Sequence, residues 1–106
     1  MEEHVKNEIN SILDQILKKY HPIKIILFGS AVLDSFNNDS DLDFLIIKDN
    51  VPHIGRDRSR ELRRLLKERT LACDFLIYKQ EEFDERFNMG DPFILSIIKE
   101  GKILYG

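Results

Sequence analysis

One stretch, Ile25 to Ile47, restricts the folds open to this chain more than any other. It reads Ile25-Ile26-Leu27-Phe28, then Gly29-Ser30, ten further residues, and Asp41-Leu42-Asp43 opening a second apolar run, Phe44-Leu45-Ile46-Ile47. An apolar run that stops at Gly-Ser predicts a buried strand turning sharply and exposing backbone amides. Acids two residues apart at the head of a strand lie on the same face of the sheet. Two such charges about 4 Å apart repel by about 4 kcal/mol at an effective dielectric near 20, so stability alone does not explain them. A bound cation relieves the repulsion, and a phosphate seated on the Gly-Ser turn supplies its remaining ligands.

The rest of the composition narrows the setting. A chain of 106 residues with 42% hydrophobic and 33% charged side chains suits one folded domain spanning 1–106. Cys73 is the single cysteine, which leaves no disulfide framework and no thiolate zinc cluster. The acidic start Met1-Glu2-Glu3 is unlike a signal peptide, and no apolar run approaches the ~20 residues of a membrane span. A cytoplasmic protein without membrane contact is expected. The net charge of −3 argues against general nucleic-acid binding.

Helical spacing of Val5, Ile9, Ile12, Leu13, Ile16, Leu17 and Tyr20 predicts an amphipathic helix that His21-Pro22 ends. A first strand follows at about Ile23 to Phe28. Ser30 to Phe36 is read as one or two helical turns, whose positive end would face a phosphate on the Gly-Ser bend. The second strand covers about Asp41 to Ile47. Its Leu42, Phe44 and Ile46 face one way and Leu45 and Ile47 the other, so both sides of the sheet need cover.

Ile54 to about Thr70 is a second long helix, with Ile54, Leu62, Leu65 and Leu66 inward and seven basic residues against three acids. Taking that +4 from the total of −3 leaves the rest of the chain at about −7. Arg56, Arg60, Arg63 and Lys67 fall on one stripe, suited to a triphosphate or an acidic partner. A third strand, Leu71 to Tyr78, carries Asp74 near its start, with Cys73 on the opposite, core-facing side. Lys79 to Phe87 is a short helix. Asp91 caps another with Pro92 at its first position, Gly101 stops it, and Lys102 to Tyr105 is a closing strand.

For Gly29 and Asp41 to share a site, the first two strands must run antiparallel. The third, with its acid also at its start, then runs parallel to the second, with the basic helix as crossover. The fold class is α/β (α+β): a mixed sheet of three to four strands with flanking helices, in which Asp41, Asp43 and Asp74 converge near Gly29-Ser30.

Gly29-Ser30, the ten-residue gap, Asp41-Leu42-Asp43 and a later strand with Asp74 resemble the nucleotidyltransferase superfamily of DNA polymerase β and kanamycin nucleotidyltransferase. The short length and the tail Glu82-Phe83, Ile97-Ile98 and Glu100 to Tyr105 look like the minimal nucleotidyltransferases (MNT). That resemblance implies a Mg²⁺-dependent transferase acting on ATP or another nucleoside triphosphate. Asp41, Asp43 and Asp74 are then catalytic and metal-binding, with two ions possible, and Gly29 and Ser30 hold the nucleotide. It implies AMP transfer to a partner protein, a HEPN-type toxin for which the chain would be the antitoxin. A homo- or hetero-oligomer is expected, completed at an exposed apolar patch beside the site. Many active relatives continue Gly-Ser with a basic or aromatic residue, Ala, and a Gly two further on. Here Ala31-Val32-Leu33-Asp34-Ser35 follows, and Asp34 would oppose a triphosphate. The alternative is therefore a module that neutralises its partner by binding while its site stays idle.

Asp39, Asp41 and Asp43 also mimic the opening of a calcium loop. Phe44 stands where that loop needs Gly and Asn50 where it needs Glu, which excludes it. The chain is too short for the usual sugar-nucleotide domain of an Asp-x-Asp glycosyltransferase. His4, His21 and His53 show no metal-ligand spacing.

Overall fold

A computed structural model describes residues 2–33, 36–37, 39–67 and 71–106. Helix α1 spans Glu3–Lys19 and presents Val5, Ile9, Ile12 and Ile16 on its buried side. Each such aliphatic contributes roughly 1.5–3 kcal/mol by leaving water. The helix ends at Tyr20, and His21 turns the chain with φ 54° before Pro22. Strand β1 is Lys24–Phe28, and a single 3₁₀ turn, Gly29–Ala31, follows it. Of the one or two helical turns expected over Ser30–Phe36, the described residues show this one. Asp34 and Ser35, within that expectation, lie outside the described residues.

Strand β2, Leu42–Ile47, is followed by helix α2, Gly55–Leu65, strand β3, Cys73–Tyr78, helix α3, Gln80–Asn88, helix α4, Pro92–Glu100, and strand β4, Lys102–Tyr105. The sheet order is β3-β2-β1-β4. β1 runs antiparallel to both β2 and β4, while β2 and β3 are parallel, with α2 in the crossover. The mixed sheet and the directions of β1, β2 and β3 are those expected from the positions of Gly29 and the acids.

The alternation along β2 becomes two cores. Leu42, Phe44 and Ile46 join α1, Leu62 and Leu66 on one side of the sheet. Leu45 and Ile47 meet Ile94 and Ile97 of α4, with Phe83 packed against them, on the other. Asp91 caps α4 by accepting from the Phe93 amide at 2.9 Å, as its Asp-Pro start predicts. Among the described residues no helix is long and apolar enough to cross a membrane.

Three local expectations need correction. Ile54 precedes α2 as its N-cap and is 49% exposed, because the inward face begins one turn later at Arg58 and Leu62. Leu66 has extended backbone (ψ 138°) and ends the helix, so Lys67 leaves the stripe of Arg56, Arg60 and Arg63; residues 68–70 lie outside the described residues. Asp41 precedes β2 instead of beginning it.

Candidate active site

The site begins where β1 meets the Gly29 turn. Phe28 is extended, Gly29 adopts φ 74°, and the amides of Val32 and Leu33 donate to the Gly29 carbonyl at 3.2 and 3.3 Å. Only glycine takes that φ without cost, and it is needed here for a second reason. A Cβ at position 29 would land on Asp43 Oδ2 and stand 3.2 Å from its Cγ. Backbone and carboxylate are thus packed directly together.

Strand register brings the acids to this point. Phe28 is paired with Asp43, and Asp43 with Asp74 on the parallel neighbour. Paired residues on adjacent strands share a face, so Asp43 and Asp74 stand side by side on the face that α4 covers further along. Asp43 is half-buried, whereas Asp41 and Asp74 are exposed. Partial burial raises the Asp43 carboxyl above the ordinary range, and the neighbouring charges of Asp74 and then Asp41 raise it further. Asp43 therefore feels the charges of both neighbours, Asp74 more than Asp41.

Side-chain placement is open, not caged. Among the described residues, no three Asp, Glu, His or Cys side chains are already closed into a metal-holding group. Magnesium does not require such a cage, because it keeps several waters and takes one or two carboxylates plus substrate phosphates. The donor chemistry here fits that pattern: hard oxygens, an excess of negative charge, and an adjoining bend for phosphate. Ser30 is half-buried within the 3₁₀ turn, next to Gly29.

The basic helix contributes two arginines that behave differently. Arg63 reaches the site edge, its Nη2 4.0 Å from Asp74 Oδ1 and its guanidinium 5.1 Å from the centre of the Phe75 ring. Arg58 is 3% exposed and turned inward. It donates to both Glu82 carboxylate oxygens and to the carbonyls of Pro52, His53 and Ile77. The hydrogen-bonded Arg58 guanidinium lowers the Glu82 carboxyl to about 2. Sequence reasoning missed this clamp. The signal was present: Arg58 lies four residues before Leu62 and therefore on the apolar side of α2.

Cys73 is buried on the opposite face from Asp74, as its place in the strand predicts. The nucleotidyltransferase domain family's sequence model matches residues 7–105, which include every residue of this site. The chain belongs to the nucleotidyltransferase domain family.

Its relatives include two proteins of Methanocaldococcus jannaschii, each named "Putative protein adenylyltransferase". One is 27% identical over 105 residues, covering 98% of this chain and 97% of the relative. The other is 32% identical over 105 residues, covering 92% of this chain and 71% of the relative. A crystal structure from Sulfolobus solfataricus, named as that of a "putative nucleotidyltransferase", has the same fold. It superposes with a TM-score of 0.54 over 80% of this nucleotidyltransferase domain and 81% of its own chain, at 16% identity.

Proposed function

We propose that this nucleotidyltransferase domain moves AMP from Mg²⁺-bound ATP to a hydroxyl on a partner protein. The observation that carries the reading is the packing of the Gly29 turn against Asp43, with Asp74 registered beside it on the neighbouring strand. Membership of the family supports the transferase chemistry, and the names of the two archaeal relatives support AMP as the group and protein as the acceptor.

In the reaction, the acceptor oxygen bonds to the α-phosphorus of ATP while the bond from that phosphorus to the pyrophosphate oxygen breaks. Pyrophosphate leaves with the bonding electron pair. Divalent metal supplies neutralisation of the phosphate charge and a lowered pKa for the attacking hydroxyl. Asp41 and Asp43 would hold the metal by their carboxylates. Asp74 completes that set or takes the acceptor's proton. Gly29 lets the backbone approach the phosphates closely, and Ser30 offers its hydroxyl to them.

The acceptor we propose is a HEPN-type toxin, on the chain's resemblance to minimal nucleotidyltransferases, which would make this chain an antitoxin. A second reading is favoured by the segment Ala31-Val32-Leu33, which lacks the basic residue found after Gly-Ser in many active relatives. In it the chain neutralises the partner by contact alone. Incubation with α-labelled ATP, Mg²⁺ and the product of the neighbouring gene separates the two. Label on the partner that disappears in Asp41→Ala/Asp43→Ala supports transfer. Neutralisation that survives both substitutions, with no label, supports contact.

A further inference from the structure

Helix α2 carries a cationic stripe that the proposed chemistry leaves unused. At 100° per residue, Arg56, Arg60 and Arg63 fall within about 60° of one another, opposite Arg58 and Leu62. Their charges are poorly satisfied. Among the described residues Arg56 has no ion pair; Arg60 is 3.8 Å from Asp57, and Arg63 is 4.0 Å from Asp74. Glu82 already neutralises Arg58, whereas Arg56 and Arg60 stand on the exposed side of the helix.

The position of the stripe gives it meaning. Arg56 to Arg63 spans about 10 Å of helix. Its Arg63 end comes to 4.0 Å from Asp74. Its Arg56 end lines an open groove of about 880 Å³, whose walls combine Leu76, Tyr78 and Met89 with the charged Glu85, Arg86 and Asp91. Leu76 and Tyr78 follow Asp74 on the same side of β3 at intervals of roughly 6.6 Å. In the sheet order, β3 lies beyond β2 from β1, so the stripe and the Gly29 turn flank Asp43 from opposite sides. A phosphoryl-type transfer with donor and acceptor in line needs two approaches of this kind.

We propose that α2 and this groove form the docking surface for the acceptor polypeptide, which presents an acidic segment beside its hydroxyl. The inference rests on the AMP-transfer reading given above. Carboxylates of the segment pair with Arg56, Arg60 and Arg63. An apolar side chain enters the groove over Leu76 and Tyr78, and the hydroxyl is delivered to Asp74. Exposed guanidiniums match carboxylates in bidentate geometry and steer an acidic partner during encounter. A triphosphate held at Gly29-Ser30 would lie on the other flank. The negative total charge favours polypeptide over nucleic acid as occupant.

The test uses the intact chain and fluorescein-labelled peptides containing Tyr and Leu flanked by Glu, by Gln or by Lys. Fluorescence anisotropy at low salt reads peptide binding, and calorimetry reads ATP with Mg²⁺. The expected result is Glu-peptide binding at least about tenfold tighter than Gln-peptide binding, with the difference shrinking at high salt. Arg56→Glu/Arg60→Glu should abolish that preference and favour the Lys peptide, with ATP affinity unchanged. Should the double reversal unfold, Arg56→Gln/Arg60→Gln replaces it and is expected to remove the Glu preference alone. Failure of the Glu peptide to bind, equal binding of Glu and Gln peptides, or an equal loss of ATP affinity in the variant would overturn the proposal. So would a single-stranded oligonucleotide that outcompetes the Glu peptide. Charge-selective binding without AMP transfer would refute the reaction but keep the docking surface; transfer blind to peptide charge would do the reverse.

Discussion

Replacing Gly29 by Ala tests the packing on which the site depends, and the protein contains its own control. Gly29 and Gly90 share a φ of 74°, but they differ in what a methyl would meet. At Gly90 there is nothing within 4 Å, while at Gly29 the methyl overlaps Asp43 Oδ2. Gly90→Ala therefore incurs only the left-handed backbone cost, about 1–2 kcal/mol. Gly29→Ala incurs the same cost and must also turn the Asp43 carboxylate aside by an ångström or so. A shift of about 1 Å in a reacting group can lower turnover about 100-fold, and disturbing a metal's supporting contacts lowers affinity by about 10–100-fold. Calorimetric titration of both variants with ATP, with and without Mg²⁺, should show Mg²⁺-dependent affinity falling only in Gly29→Ala. Thermal unfolding should place the two variants within about 2 kcal/mol of one another, because the Asp43 side chain is free to swing toward solvent. Equal Mg²⁺-dependent affinity in the two variants would refute the claim that the turn positions Asp43.

Other expectations follow from charge. The Asp43 carboxyl is raised in the folded protein by burial and by Asp74 and Asp41, so its stabilising share is present below the unfolded pKa of about 3.9 and is lost as pH rises through the folded value. Asp43→Asn should therefore unfold at a higher temperature than wild type at pH 7, with the gap closing toward pH 4. Added Mg²⁺ should raise the wild-type midpoint and leave that of Asp43→Asn unmoved, since the ion stabilises only the state that binds it. Arg58→Met removes the guanidinium from three backbone carbonyls and leaves the Glu82 carboxylate with the Lys79 amide alone, for a loss of about 3 kcal/mol in denaturant titration. Glu82 is 36% exposed at its side chain, so solvent screening should hold the Arg58/Glu82 coupling, read from Arg58→Met, Glu82→Gln and the double variant, to about 1–2 kcal/mol. With its folded value lowered to about 2, Glu82 stabilises above pH ~4.3, and the advantage of wild type over Glu82→Gln should fade as pH drops toward 2.

Periodicity made the layers of this fold legible. Alternation along Leu42–Ile47 called for cover on both sides, and helices occupy both. The directions of the first three strands followed from one requirement, that Gly29 and the acids meet at the same end of the sheet. Residue types alone did not reveal where a long polar side chain goes. Arg58 looks like any member of a solvated arginine face until Glu82, 24 residues away, is brought opposite it by the packing of α3. Helix ends were harder still. Extrapolating the period puts Ile54 and Lys67 on α2, whereas the backbone at Ile54 and Leu66 is already extended. The tight fit of Asp43 against Gly29 was visible only as a motif. Its steric content needed coordinates.

The pairing of Asp43 with Asp74 acts as a gauge. Two hydrogen-bonded strands stand about 4.8 Å apart, so the spacing of the acids is set by amides and carbonyls, which tolerate almost no stretching. Side-chain length and rotamer are then what remain to place the carboxylates. A glutamate in either position would overshoot by a carbon–carbon bond, about 1.5 Å, though it keeps the same charge. Charge is therefore an insufficient specification for these positions; reach is specified as well, by the sheet itself.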